Sequence, residues 1–243
     1  MDLKEEDILG DKIQDHWYYV SKGRAMRQFL GDIKSSDVLD VGAGSGIFSR
    51  QLLEEGRCDR AICLDPNYGE EKTEVYHGKR IDFVKSSTGN TPKLVLMMDV
   101  LEHVPDDLAL LKGFVDHMEA GGHVLITVPA FQFMWSGHDV FLEHHRRYTI
   151  KMIEAVVRRS GMTPVKSRYF FGGLFPAMAA IRLSKKILID RGALKAKSEL
   201  KIYPNWFNST LISLHDLERR TLFRANKFFG LSVFCLCRKS TVD

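Results

Sequence analysis

Three glycines stand within five positions of the stretch VLDVGAGSGIFSRQLLEEG, residues 38–56, between a short apolar run and an amphipathic one. Gly42, Gly44 and Gly46 therefore mark a sharp connection from a strand to a helix. Glycine is favoured where the chain turns with positive φ, or where a ligand comes close to the main chain. The stretch predicts a tight turn, either alone or with a ligand seated on it.

Short apolar runs alternate with helical patterns along most of the chain. Seven of these runs are candidate strands, at about 38–41, 61–65, 81–84, 93–99, 123–129, 165–171 and 231–238. Thr149 is a typical cap for one of the intervening helices. Most of the runs are apolar throughout, as strands buried on both faces are. The pattern predicts an α/β fold with a doubly wound, seven-stranded sheet that has helices on both sides.

The alternation also suggests how the chain is divided. Residues 1–36 form a helical segment ahead of the first strand, and residues 37–171 form the core of the sheet. Residues 172–222 interrupt the alternation with two long helical patterns, which predict a helical cap inserted before the last strand in residues 223–243. We expect the first segment to cover the ligand site.

Composition limits the classes of function. The net charge is +4, from 35 Lys and Arg against 31 Asp and Glu. This charge is too small to indicate a nucleic-acid partner by itself, although a local basic cluster could still matter. Residues 170–181 form an uncharged, largely apolar run that is shorter than the roughly 20 residues that span a bilayer. The acidic amino terminus does not resemble a signal peptide. Four cysteines lack C-x-x-C spacing and predict reduced core thiols in a cytoplasmic protein: Cys58, Cys63, Cys235 and Cys237.

Two acids accompany the glycine turn. Asp40 lies inside the first strand, where a carboxylate requires a donor or a positive charge. Asp65 ends the second strand, where an acid can accept hydrogen bonds from ribose hydroxyls. The spacing G-x-G-x-G differs from the dinucleotide fingerprint G-x-G-x-x-G, which disfavours a nicotinamide cofactor.

Taken together, V-L-D-V-G-A-G-S-G, A-I-C-L-D-P and the later D-V-L-E-H-V-P-D-D closely resemble the class I S-adenosylmethionine-dependent methyltransferases. The resemblance covers about residues 15–171 and the last strand, and it implies a Rossmann-like fold. It also implies S-adenosylmethionine as cofactor and S-adenosylhomocysteine as product.

The resemblance assigns roles to individual positions. The turn Gly42, Ala43, Gly44 and Gly46 would wrap the methionine portion of the cofactor. Asp40 would serve its amino group, and Asp65 would hold the ribose hydroxyls. Further contacts are implied for the adenine and for the surroundings of the sulfonium, at Pro66, Lys85, Ser86, Asp99 and Val100.

Acceptor chemistry is indicated by the residues after the fourth strand. No N-P-P-Y or D-P-P-Y sequence follows it, which argues against methylation of a planar amine and favours a hydroxyl acceptor. A hydroxyl needs a base, and histidine can supply one at neutral pH. His103 is placed for this role, although a histidine at a helix start can instead simply bond to backbone.

A histidine-rich loop after the fifth strand, VPAFQFMWSGHDVFLEHHRRYT, resembles a bacterial subset of these methyltransferases with an H-D-x-x-x-x-H-x-R-R-Y-T pattern. The subset is associated with glycan, lipid-linked sugar and secondary-metabolite pathways. His144 is a second candidate base. The remaining matched positions would orient a small-molecule or glycan acceptor: His138, Asp139, Arg146, Arg147 and Tyr148. A solvated pair is the alternative for the two arginines.

No metal is expected, because the His and Asp spacing matches no metal signature and the methyl donor is already a cation. Residues 170–189 are apolar with a basic end that continues to residue 201. This segment either covers the active site or contacts an anionic membrane surface. An RNA methyltransferase and a non-catalytic protein that binds the cofactor are the alternative functions.

Overall fold

The computed structural model describes residues 8–86, 89, 91–189, 198 and 201–240. The strands are β1 (Asp37–Val41), β2 (Arg60–Leu64), β3 (Lys72–Tyr76), β4 (Lys79–Val84), β5 (Leu94–Met98), β6 (His123–Pro129), β7 (Met162–Phe170) and β8 (Ser232–Lys239). The helices are α1 (Trp17–Leu30), α2 (Ile47–Glu54), α3 (Asp107–Val115), α4 (Gly137–Phe141), α5 (Ile150–Arg159), α6 (Phe175–Ile189) and α7 (Asn205–Thr221). Short 3-10 turns cover Gly10–Gln14, Leu101–His103 and Gln132–Met134.

One sheet contains all eight of these strands, in the order β3-β4-β2-β1-β5-β6-β8-β7. The five strands from β4 to β6 in that order are parallel, whereas β3, β8 and β7 pair antiparallel with their neighbours. The carboxyl ends of the parallel strands therefore meet at one edge of the sheet, where ligands bind in folds of this kind.

The strand count differs from the seven that the sequence predicts. The additional strand is β3, which pairs antiparallel with β4 at the edge of the sheet. Its sequence, KTEVY, is charged and largely exposed, and Val75 keeps 76% of its surface in solvent. Because an edge strand without a buried face has no apolar signature, its polar sequence predicts a loop.

Apolar side chains form two clusters, one on each face of the sheet. Alternate residues of β1 belong to different clusters, Val38 to the first and Leu39 to the second. The first cluster includes buried residues of α1 and α2, and the second includes those of α3 and α5. The expected double winding of the sheet by helices is thus present.

Helices α6 and α7 lie between β7 and β8 in the chain, in the segment expected to form a cap. Helix α7 packs against α1, where the Trp17 amide donates to Asn208 Oδ1 at 2.8 Å and Arg219 donates to Gln28 Oε1 at 2.8 Å. Much of the expected basic stretch, including Arg191, lies outside the described residues. Among the described residues, no helix is both long enough and apolar enough to cross a membrane.

Candidate active site

The glycine turn leaves β1 at the carboxyl edge of the sheet and enters α2. Gly42, Gly44 and Gly46 have φ values of 64°, 52° and 71°, a region that side chains disfavour. A Cβ on Gly46 would also lie 3.0 Å from Cys63 Sγ and 3.1 Å from the Phe83 ring. The positive φ values favour glycine at all three positions. At Gly46, close packing against Cys63 and Phe83 is a second reason for glycine.

Asp40 lies directly beneath this turn and is 1% exposed. Ser49 Oγ donates to its Oδ2 at 2.8 Å, whereas Oδ1 has no hydrogen-bond partner among the described residues. Burial raises the pKa of Asp40 to about 6. A buried carboxylate oxygen without a partner fits a cationic amino group, which is the part of S-adenosylmethionine that the resemblance assigns to this residue.

Asp65 stands beside the turn at the end of β2. Its Oδ2 accepts from the Gly44 amide at 3.3 Å, and its Oδ1 accepts from the Asn67 amide at 2.9 Å. The Tyr68 hydroxyl donates to the Gly44 carbonyl at 2.6 Å. The structure therefore brings the two predicted motifs together and adds Tyr68, which could not be found in the sequence because a single tyrosine in a polar loop carries no pattern.

The residues expected near adenine lie at the same edge of the sheet. Leu64 of β2 pairs with Val84 of β4, so Pro66 and Ser86 follow neighbouring strand ends, and both are exposed. The Lys85 amide donates to Glu71 Oε1 at 2.8 Å. Contact of these residues with the cofactor remains a prediction.

Asp99 follows β5 and adopts a φ of 57°, which is unusual for a residue with a side chain. The buried Lys22 ammonium forms an ion pair with Oδ2, and the Tyr18 hydroxyl donates to the same oxygen at 2.8 Å. Thr127 Oγ1 donates to Oδ1 at 3.1 Å. Burial acts to raise the pKa of Asp99, but Lys22 and Tyr18 lower it to about 2. Val100, the next residue, is buried.

A cavity of about 300 Å³ opens beside Asp99. Most of its wall is apolar and comes from α1, α6, α7 and nearby loops: Trp17, Leu142, Leu174, Met178, Tyr203, Phe207, Leu211 and Leu231. Its polar end contains Asp99, Glu102, His103, His138, His144 and Arg147. Three histidines that are separated in sequence thus line one cavity. Arg182 of α6 also lines it and donates to the Met134 carbonyl at 2.7 Å.

Glu102 is the most deeply buried acid of this polar end, with no exposed surface. Neither of its carboxyl oxygens has a hydrogen-bond partner among the described residues. Burial raises the pKa of Glu102 well above its usual range, and the negative charge of Asp99 raises it further. The sequence alone assigned no role to this residue.

His144, one of the two candidate bases, contacts a buried carboxylate. Its Nδ1 lies 3.0 Å from Asp139 Oδ1, and its side chain is 6% exposed. The His103 ring is 4.6 Å away between centroids, at an interplanar angle of 83°. Although burial acts to raise the pKa of Asp139, hydrogen bonds from His144 and the charge of Arg147 hold it well below its usual range. An ionised Asp139 favours the His144 tautomer that carries its proton on Nδ1.

Asp139 itself is not exposed and does not line the cavity. Arg147 donates to both its oxygens, from Nε at 2.7 Å and from Nη2 at 2.9 Å. The Ser136 amide donates to Oδ2 at 2.8 Å. Asp139 therefore holds His144 and Arg147 in place, and its predicted contact with the acceptor is not tested by this geometry. Arg147 lines the cavity, but its guanidinium also bonds to Asp139 and to the Ala130 carbonyl.

Arg146 and Tyr148 both contact Asp107 at the start of α3. Arg146 pairs with Asp107 at 3.0 Å and donates to the Pro105 carbonyl. Tyr148 is 1% exposed, and its hydroxyl contacts the Leu101 carbonyl at 3.1 Å and Asp107 Oδ2 at 2.8 Å. Neither side chain lines the cavity. Both side chains contact the start of α3 or the turn after β5, which supports a structural role. Their contact with an acceptor stays a prediction.

Comparisons with known proteins agree with this geometry. A family model described as a methyltransferase domain matches residues 16–167, more than half of the chain. A ubiquinone biosynthesis O-methyltransferase of Vibrio parahaemolyticus is 30% identical over 103 residues, covering 37% of this chain and 42% of the relative. The protein of the same name from Yersinia pestis is 29% identical over 111 residues, covering 41% and 45%. The chain thus matches less than half the length of these relatives.

Solved structures share the fold at low sequence identity. An S-adenosylmethionine-dependent methyltransferase from Archaeoglobus fulgidus has a TM-score of 0.53 and 18% identity, with 98% of each chain covered. Phosphoethanolamine N-methyltransferase 2 from Haemonchus contortus, in complex with S-adenosyl-L-methionine, has a TM-score of 0.52 and 16% identity, covering 90% of this chain and 52% of that one. On the family match, this chain belongs to the S-adenosylmethionine-dependent methyltransferases.

Proposed function

We propose that this protein methylates an oxygen of a small molecule, sugar or lipid-linked glycan precursor. The observation that carries the proposal is the contact between Asp139 and His144 at the polar end of the cavity. An ionised Asp139 retains the proton on Nδ1 of His144, which leaves Nε2 able to accept one. A relative that is named an O-methyltransferase gives separate support.

One group of residues binds the cofactor, and a second group binds and deprotonates the acceptor. S-adenosylmethionine supplies an electrophilic methyl group on a positively charged sulfur. The glycine turn, Asp40 and Asp65 bind this cofactor, while His144 or His103 takes the proton of the acceptor hydroxyl. His138 and Arg147 lie on the same wall and orient the acceptor.

The cavity wall supports an acceptor with an apolar part. Side chains of α6 and α7, such as Met178 and Leu211, provide an apolar surface, to which α6 adds the charged Arg182. The carboxylates and histidines come from the turn after β5, from α4 and from the loop after α4. An acceptor that carries its hydroxyl on an aromatic ring or a lipid-linked unit fits this division better than a free sugar does.

We also propose peripheral contact of residues 170–189 with a membrane surface. Ile181 and Leu183 of α6 are 46% and 43% exposed, as expected for an amphipathic helix that lies in the interface. Flotation with anionic vesicles tests this contact, and the absence of flotation at both low and physiological salt would contradict it.

Replacement of the two histidines tests the proposed chemistry. With acceptors from phenolic, sugar and lipid-linked classes, transfer of a labelled methyl group should fall by about 10²–10⁴ in kcat for His144→Ala or His103→Ala. Binding of S-adenosylhomocysteine should not change. His117→Ala, at an exposed histidine of the opposite sheet edge, is the matched control. Full activity in both variants would contradict the assignment of the base.

A further inference from the structure

Three possible metal ligands meet at the polar end of the cavity. Glu102, His103 and His144 each offer one ligand atom, and these atoms all lie within 4.8 Å of one another. Glu102 and His103 belong to the turn after β5, whereas His144 comes from the loop after α4. Since 41 positions separate His103 from His144 in the sequence, no local spacing reveals the cluster.

Two observations make this cluster more than a chance grouping. Glu102 is completely buried, and both its oxygens lack a hydrogen-bond partner among the described residues. A buried carboxyl group normally has a partner, because the loss of hydration is otherwise not compensated. The Glu102 carboxyl group lies close to the imidazoles of His103 and His144. A cation bound between these three side chains would supply the missing partner for its oxygens.

The second observation is that a carboxylate contacts one ring nitrogen of His144 and leaves the other available. Its Nδ1 contacts Asp139 Oδ1 at 3.0 Å, so Nε2 is the nitrogen left for the cluster. Histidines that bind metals in proteins characteristically donate their other nitrogen to a carboxylate in this way, which fixes the tautomer and the ring orientation. Asp139 is in turn held by Arg147.

We propose that Glu102, His103 and His144 bind one divalent transition-metal cation. Two imidazoles and one carboxylate form a donor set that suits Zn²⁺, Fe²⁺ or Mn²⁺, whereas Mg²⁺ and Ca²⁺ prefer oxygen ligands. A cation would compensate the buried Glu102 and leave open positions toward the cavity. This departs from the expectation of no metal, which rested on sequence spacing and on the charge of the methyl donor.

The inference rests on the proposed oxygen methylation and changes how the acceptor loses its proton. A hydroxyl bound to the cation becomes acidic, so its O–H bond breaks and the proton passes to water. The oxygen keeps the electron pair that then bonds to the methyl carbon. The bond from that carbon to the sulfonium sulfur breaks at the same time, and its electron pair stays on sulfur, which leaves as S-adenosylhomocysteine. Both histidines act as ligands in this case, and neither serves as the base.

Metal binding to the purified, untagged full chain tests the site without reference to turnover. After chelator treatment, Co²⁺ is titrated and its visible absorption recorded, with Zn²⁺ in competition. We expect one cation per chain, and at least tenfold weaker binding in Glu102→Gln and His144→Asn. His77→Ala, at an exposed histidine of the β3–β4 turn, should bind like the natural chain. Binding of S-adenosylhomocysteine by each variant reports an intact fold.

Absence of stoichiometric binding, or equal affinity in both cluster variants, would overturn the metal site. The activity of the chelator-treated protein separates this failure from failure of the proposed function. If methylation of an oxygen persists without added cation, the proposed function stands and the metal role fails. If the cation binds at the cluster but no hydroxyl acceptor is methylated, the site stands and the oxygen assignment fails.

Discussion

Lys22 and Asp99 form a buried ion pair that joins the first helix to the end of the central strand β5. The Lys22 side chain has no exposed surface, and the Tyr18 hydroxyl lies 2.9 Å from its ammonium and donates to the same carboxylate. Helix α1 is thereby attached to the carboxyl edge of the sheet, where Trp17 and Tyr18 form part of the cavity wall. The shape of the cavity therefore depends on this pair.

Lys22→Met should strongly destabilise the protein. The substitution leaves the Asp99 carboxylate beside the cavity without its cation, and breaking a buried pair in this way costs about 3–5 kcal/mol. Urea denaturation measures the loss. Lys93→Met is the matched control, because Lys93 pairs with Glu119 and both side chains are largely exposed; its cost should stay below about 1 kcal/mol. Equal losses in the two variants would contradict the role of the buried pair.

Acid should reduce the difference between the natural chain and Lys22→Met. The folded-state pKa of Asp99 is lowered to about 2, whereas an unfolded aspartate has a pKa of about 3.9. A depressed pKa contributes stability above the unfolded value, about 3 kcal/mol here, and this is lost as the pH falls toward 2. Unfolding free energies measured from pH 6 to pH 2 should therefore converge. A constant difference across this range would exclude the pairing.

The central strands and the glycine turn could be predicted from the sequence because their chemistry is local. Val38–Val41 is apolar except for Asp40, and the glycines mark the positions where φ is positive. Strand β3 has no such signal. It is held by pairing with β4 and by polar contacts such as Arg50 with Glu74 at 2.6 Å, which a pattern of charged residues does not distinguish from a loop.

The site was predictable only in part, for a different reason. Lys22 is a lone lysine in a helix, and its partner is distant in sequence. Glu102 is adjacent to a predicted base, but its carbonyl accepts from the His145 amide at 2.7 Å, in the distant loop after α4. Arg146 and Tyr148 match the sequence pattern, but both side chains contact Asp107 at the start of α3. Motif membership does not reveal the direction of a side chain.

Gly46→Ala should destabilise the protein more than an equivalent change in open space. Its Cβ would approach Cys63 Sγ and the Phe83 ring at 3.0 and 3.1 Å, and such overpacking costs about 1–3 kcal/mol. Gly78 has a φ of 73°, but a Cβ at this position would meet no atom within 4 Å, so Gly78→Ala reports the backbone cost alone. Chemical denaturation of both variants measures the difference. Similar losses would show that packing adds nothing at Gly46.

Tyr148→Phe should affect stability and leave acceptor affinity intact. The substitution removes hydrogen bonds of the hydroxyl with the Leu101 carbonyl and Asp107, at a cost of about 1–3 kcal/mol for the buried groups left without a partner. Thermal unfolding and the KM for the acceptor, measured together, separate the two roles. An increased KM without loss of stability would instead support acceptor contact by Tyr148.

Asp40→Asn should weaken cofactor binding without destabilising the fold at pH 7. Burial raises the pKa of Asp40 to about 6, so its charge opposes folding above that pH and its removal relieves this cost. Loss of the charge should weaken S-adenosylhomocysteine binding by about tenfold, or roughly 1.4 kcal/mol. Asp59→Asn, at an exposed position, is the control. A less stable variant with unchanged affinity would contradict this role of Asp40.

Calorimetric titration with S-adenosylmethionine and S-adenosylhomocysteine tests most directly whether the glycine turn and Asp65 form a cofactor site. We expect one molecule bound per chain, with at least tenfold weaker binding in Asp65→Ala and unchanged binding in Asp59→Ala. If the natural chain gives neither binding heat nor a thermal shift with either compound, the glycine turn and Asp65 do not form that site.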